Sequence, residues 1–101
     1  MNLTKQEMTV LSALDLEEMY GYKIVKEVKE RYDITLILGS LYNTLKQLER
    51  KGFVESFWSD EQGSGGRRKY YKITAHGSTS LSDAKRELMR MWSPSLNPSA
   101  I

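Results

Sequence analysis

A chain of 101 residues with 40% hydrophobic content has the size of one domain with a modest core, and it gains from hiding apolar surface against a second copy. It contains no cysteine, which excludes disulfides, thiolate zinc sites and thiol catalysis together and fits a reducing compartment. The net charge of +2 excludes a basic arm that coats any polyanion. The charge is uneven, however, with five Lys/Arg against seven Asp/Glu in residues 1–33 and seven against four in residues 34–77, the distribution expected where one face meets phosphates.

The N-terminal stretch MNLTKQEMTVLSALDLEE places acidic residues where a secretory signal needs an unbroken apolar run, and no stretch approaches membrane-spanning length, so a cytoplasmic protein without a membrane partner is expected. The first helix is expected to start at Thr4, which has capping-box spacing to Glu7, and to bury Leu3, Val10, Leu11 and Leu14. The acidic run Asp15, Glu17, Glu18 interrupts it. Tyr20-Gly21 then leads into a second helix with Ile24, Val25 and Val28 inward and Lys23, Lys26, Glu27, Lys29 and Glu30 in water.

After Tyr32-Asp33 the apolar run ITLIL, rich in β-branched residues, suits an extended connector. Gly39-Ser40 is expected to open a third helix. With Leu41, Leu45 and Leu48 buried at 3.6-residue spacing, Asn43, Lys46, Gln47 and Arg50 lie on the exposed side, and Lys51-Gly52 closes the helix with glycine at its C-terminal cap. FVESFW, the Gly-rich DEQGSGG and RRKYYKIT read as a two-stranded hairpin with a long tip. A last helix, capped by the Thr74 hydroxyl, aligns Leu81, Ala84, Leu88, Met91 and Trp92, and Pro94 and Pro98 are expected to end regular structure.

The expected fold is therefore mainly α with a small β-hairpin, in the order α-α-α-β-β-α: a winged helix-turn-helix unit over residues 1–77, a dimerisation helix over 78–92 and a tail over 93–101. A helix exposing Ser40, Asn43, Lys46, Gln47 and Arg50 offers hydrogen-bonding groups for base edges and cations for phosphates. Taken alone, such a face equally describes any solvated helix. The hairpin adds Arg67, Arg68 and Lys69 directly after a glycine cluster, where the backbone can approach a phosphate or an arginine can enter the minor groove. A solvated hairpin with a charge-protected edge is the alternative.

LGSLYNTLKQLERKGFVES followed by GSGGRRKYYKITAHG resembles the PadR family, in which a serine or threonine before Leu-Tyr opens the recognition helix and a Gly-Arg-rich wing leads into Lys-Tyr-Tyr. GYKIVKEVKER resembles the second helix of that family, and the likeness runs from about Leu3 to Leu88. It implies a homodimeric transcription regulator of double-stranded DNA, often a repressor, acting on a palindromic operator. By the same likeness Ser40, Tyr42, Asn43 and Lys46 map to the recognition helix and Arg67, Arg68 and Lys69 to the wing. Where the family often has Gly-Arg-Pro-Arg, this wing reads Gly66-Arg67-Arg68-Lys69. The short C-terminal region resembles a compact subgroup dimerising through one helix, and Leu81, Ala84, Leu88, Met91 and Trp92 are its candidate contacts. Each large side chain buried there would contribute roughly 1.5–3 kcal/mol.

By likeness to drug-binding compact members, Trp92 is a candidate for stacking on a flat aromatic effector at the dimer centre, although a Trp on a helical face is more often plain packing. A winged-helix interaction module without specific DNA binding is the competing function. An enzyme is not expected: His76 is the only histidine, so no metal site or histidine dyad can be completed, and the glycine cluster precedes a strand where a phosphate-binding loop opens a helix. No cofactor is expected.

Overall fold

A computed structural model describes residues 3–59 and 66–96, with side chains through Met91. The hairpin tip, the Trp92 side chain and the tail beyond Leu96 named above lie outside these. The elements run α1 (Lys5–Leu14), β1 (Met19–Tyr20), α2 (Gly21–Tyr32), α3 (Leu38–Arg50), β2 (Val54–Ser59), β3 (Arg68–Ile73) and α4 (Ala75–Leu96).

The entry to α1 has the expected capping box. The Thr4 hydroxyl accepts from the Glu7 N–H at 3.0 Å, and the Thr4 N–H donates to Glu7 Oε1 at 2.9 Å, so two otherwise unpaired donors are satisfied. α2 ends at Asp33, whose N–H still donates to the Lys29 carbonyl and whose left-handed φ of 55° then turns the chain out of the helix. α3 ends in a Schellman arrangement: Gly52, at φ 79°, donates to the Glu49 carbonyl, and Phe53 donates to that of Leu48. A side chain at residue 52 would be strained there, so glycine follows from the backbone.

α1, α2 and α3 pack their apolar stripes together. Val10, Leu11, Ile24, Val28, Leu41, Leu45 and Leu48 are completely buried, and Met19, Val54, Tyr71 and Leu81 close the core from the sheet and α4. At roughly 1.5–3 kcal/mol for each large side chain, this burial holds α3 against the other helices while its opposite side stays in water.

The sheet differs from the expected hairpin. It has three antiparallel strands in the order β1-β3-β2, with Met19 opposite Tyr71 and Tyr20 opposite Tyr70. A two-residue strand carries no periodicity to read, and it exists because Met19 is drawn into the core beside β3. In the wing proper, Val54, Ser56 and Trp58 of β2 face Ile73, Tyr71 and Lys69 of β3.

Two helix boundaries also differ. α3 begins one to two residues early, at Leu38 with Ile37 as its N-cap, so Gly39 and Ser40 lie within its first turn. α4 continues past Pro94 to Leu96. A proline removes one donor and disturbs the carbonyl four residues before it, and two residues from the helix end that loss stays local. At the start of α4, the Thr74 hydroxyl accepts from the Gly77 N–H at 3.0 Å and donates to the Gly52 carbonyl at 2.7 Å, joining the α4 cap to the end of α3.

Candidate nucleic-acid interface

The helical stripe of Leu41, Leu45 and Leu48 sets the orientation of α3, and rotation about the axis puts Ser40, Tyr42, Asn43, Lys46, Gln47 and Arg50 on its exposed side. Gln47 Oε1 accepts from Arg50 at 3.3 Å, which aligns the two side chains along the helix. The helix is also tied at its N-terminal end. Gln6 of α1 donates through one amide nitrogen to Ser40 Oγ at 3.1 Å and to Thr44 Oγ1 at 2.8 Å. Gln6 went unnoticed in the sequence, because nothing in local spacing links it to residues 34 and 38 positions away.

At the C-terminal end, Lys51 reaches Glu7 Oε2 at 2.9 Å. Glu7 is thus both a cap for α1 and an anchor for the end of α3. Its side chain is only 6% exposed, and the paired ammonium and the Thr4 N–H supply the partners a buried carboxylate requires.

Tyr42 marks the edge of the exposed side. Its ring lies over Gly21, where an added Cβ would stand 2.6 Å from the phenolic oxygen, so the ring keeps this position because the N-terminus of α2 is bare there. Tyr42, Lys46 and Glu49 of α3 then face Trp58, Lys69 and Tyr71 of the wing across a cleft of about 420 Å³. Glu49 Oε2 accepts from the Ser56 hydroxyl at 2.6 Å, fastening helix to wing. Burial pushes the Tyr71 phenol above its usual pKa, with the nearby Tyr42 and Glu49 adding to the effect, so it stays a neutral donor.

The three wing cations expected to act together are divided by the strand alternation. Lys69 points to the α3 side, its ammonium 5.9 Å from the centres of the Trp58 and Tyr71 rings. Arg68 takes the other face, 4.4 Å over the Tyr20 ring and beside Tyr70 and Phe57. Arg67, just before β3, lies 5.6 Å over Trp58. Trp58, 56% exposed, was not singled out in the sequence; period-2 alternation from Val54 would have placed it on the α3 side.

The residues expected at a dimer contact separate as well. Leu81 and Ala84 are buried in their own domain, because α4 must cover the core at its first turns, and this corrects their assignment to a partner-facing surface. Leu88 and Met91 remain exposed, together with Met89. His76 packs edge-on against Phe53 with ring centres 4.9 Å apart. Among the described residues no cluster of His, Asp or Glu could hold a metal, and no helix is long and apolar enough to cross a membrane.

The family model described as the transcriptional regulator PadR-like family matches residues 10–83. This chain belongs to that family. The match spans the second half of α1, all of α2 and α3 and the sheet, and the proteins of the family regulate transcription rather than catalyse reactions. A solved PadR family transcription regulator from Clostridium difficile is similar over 90% of this chain and 93% of its own, with 40% identity and a TM-score of 0.77. Bacillus subtilis PadR, solved in complex with operator DNA, is 26% identical over 81% of this chain and 47% of its own, with a TM-score of 0.71. An uncharacterized protein of Lysinibacillus sphaericus is 34% identical over 87 residues, 83% of this chain and 75% of its own length. The winged helix-turn-helix fold read from the sequence is the fold of this family.

Proposed function

We propose that this PadR-like regulator binds double-stranded DNA as a homodimer, with α3 in the major groove and the wing alongside it, and represses transcription from a palindromic operator in the cytoplasm. The observation that carries the reading is the exposed side of α3. Ser40, Asn43, Lys46, Gln47 and Arg50 lie in solvent on a helix held from behind by the core and at both ends by Gln6 and Lys51. Such a helix presents donors and acceptors for base edges without first paying to order itself. The similarity to a regulator solved with operator DNA agrees with this.

The homodimer rests on α4. Leu88, Met89 and Met91 are 41%, 69% and 71% exposed on its distal half, an apolar surface that a single domain leaves uncovered. Leu88 also borders a groove of about 570 Å³ lined by Leu3, Met8, Tyr32 and Ile34. In this reading α4 of a second copy covers both, and the two recognition helices are set about one helical turn of DNA apart.

Selection of bound duplexes from a random pool by the purified protein tests the function. A palindromic consensus with a fixed half-site spacing is expected. Enrichment no better than background overturns DNA recognition in favour of an interaction module. Sedimentation equilibrium of Met91→Glu tests the dimer, which should dissociate; an unaltered mass would exclude this surface.

A further inference from the structure

The cleft between α3 and the wing contains a large side chain that the fold does not need. Trp58 sits near the end of β2, 56% exposed, on the face turned toward the recognition helix. Core burial of the sheet is supplied lower down by Val54 and Tyr71, so a tryptophan at this height contributes little to packing. It is directly opposite Lys69 in the β-ladder, and Lys46 of α3 lies across the cleft. Among the described residues neither lysine is engaged in an ion pair. An exposed indole with Lys69 and Arg67 beside its ring and Lys46 across the cleft is a poor surface for water and a good one for a polyanion with apolar edges.

We propose that this cleft seats one sugar–phosphate strand of bound DNA, with the Trp58 indole packed on deoxyribose and Lys46 and Lys69 on the flanking phosphates. The inference rests on the DNA-binding reading above and adds to it a specific contact. When a helix fills the major groove, the strand walling that groove runs beside the helix, in the space between α3 and the wing. The bases of a duplex are stacked inside, so the apolar surface such a strand offers is the C–H edge of its sugars, which an aromatic face can cover. Glu49, fastened to Ser56, also lines the cleft and repels a phosphate set beside it, so the phosphates are expected at Lys46 and Lys69.

The two kinds of contact have separable signatures. Lys69→Gln removes a phosphate contact from each subunit and should lower the slope of log affinity against log salt by about 1.8 for a dimer. Trp58→Ala should weaken binding about tenfold, from one aromatic contact in each of two subunits, while leaving that slope unchanged because no charge is lost. A structural role for Trp58 would give the same affinity loss, and the burial of the indole by DNA separates the two.

The test uses the full-length protein and a duplex recovered from the selection. Acrylamide quenching of tryptophan emission is measured with and without the duplex for the wild type and for Trp58→Phe, the difference reporting Trp58 alone because the chain has two tryptophans. The duplex is expected to protect the Trp58 component at least about twofold, as burial of an exposed indole should. If the duplex binds with full affinity to Trp58→Phe and Trp58→Ala and the indole remains equally quenchable, the sugar contact is refuted and the DNA-binding reading stands. If the wild type binds no duplex at any salt concentration, both are refuted. Should Trp58→Ala not fold, the quenching of the wild type still decides.

Discussion

Glu7 joins three parts of the molecule, and its replacement measures how firmly the recognition helix is held. Its carboxylate accepts from the Thr4 N–H at 2.9 Å and from Lys51 Nζ at 2.9 and 3.2 Å. In Glu7→Ala the Thr4 donor loses its partner, which costs about 0.5–1 kcal/mol at a helix N-terminus. Charge-assisted bonds to a buried carboxylate carry roughly 1.5–3 kcal/mol, but the Lys51 side chain is 34% exposed and rehydrates when released, so about 1 kcal/mol is the appropriate share. The sum, about 2 kcal/mol, lowers Tm by roughly 10 °C for a domain of this size. Glu7→Gln keeps an acceptor for Thr4 and loses only the charge, so about half the effect is expected. Urea unfolding followed by circular dichroism at fixed protein concentration, for Glu7→Gln, Lys51→Met and the pair, gives the coupling directly. A coupling below about 0.3 kcal/mol would refute the tie between α1 and the end of α3.

Gly21→Ala brings a methyl group within 2.6 Å of the Tyr42 phenolic oxygen, and because that exposed ring can swing toward solvent the fold should lose no more than about 1 kcal/mol in thermal unfolding; a much larger loss would show the ring to be fixed in place. Gln6→Ala frees the Ser40 and Thr44 hydroxyls, at a cost of about 0.5–1.5 kcal/mol, and should speed amide exchange in the first turn of α3; unchanged exchange would show the clamp to be idle. The raised pKa of Tyr71 has a definite sign. The folded state retains the phenolic proton longer than the unfolded chain, so the contribution is fully present below the ordinary value of about 10 and is lost as pH rises through the folded value. The urea midpoint of the wild type should therefore fall more steeply than that of Tyr71→Phe above about pH 10, and parallel curves would contradict the assignment.

Local chemistry and periodicity were sufficient for a large part of this protein. The capping box at Thr4, the stripe of Leu41, Leu45 and Leu48, the glycine closing α3 and the Thr74 cap depend on neighbours within a turn or two, and each is readable from adjacent residues. Because the same stripe determines which side of α3 is buried, the exposure of Ser40, Asn43, Lys46, Gln47 and Arg50 followed from it. Family membership was legible for a related reason, since the Leu-Tyr helix and the Arg-Lys-Tyr-Tyr wing are contiguous in the chain.

Tertiary structure decided what depends on distant segments meeting. β1 is a strand only because Met19 and Tyr20 find Tyr71 and Tyr70 about fifty residues later. Gln6 and Glu7 act on α3 across 34 to 44 positions. Pleating of β3 sends Arg68 and Lys69 to opposite faces, which turns three adjacent cations into two distinct environments and leaves Trp58 in the cleft beside α3. α4 illustrates the division within one element. Its apolar spacing was plain from Leu81 to Met91, but packing alone assigned Leu81 and Ala84 to the core of their own domain and left Leu88 and Met91 uncovered, because a helical stripe records which residues avoid water and not which surface removes them from it.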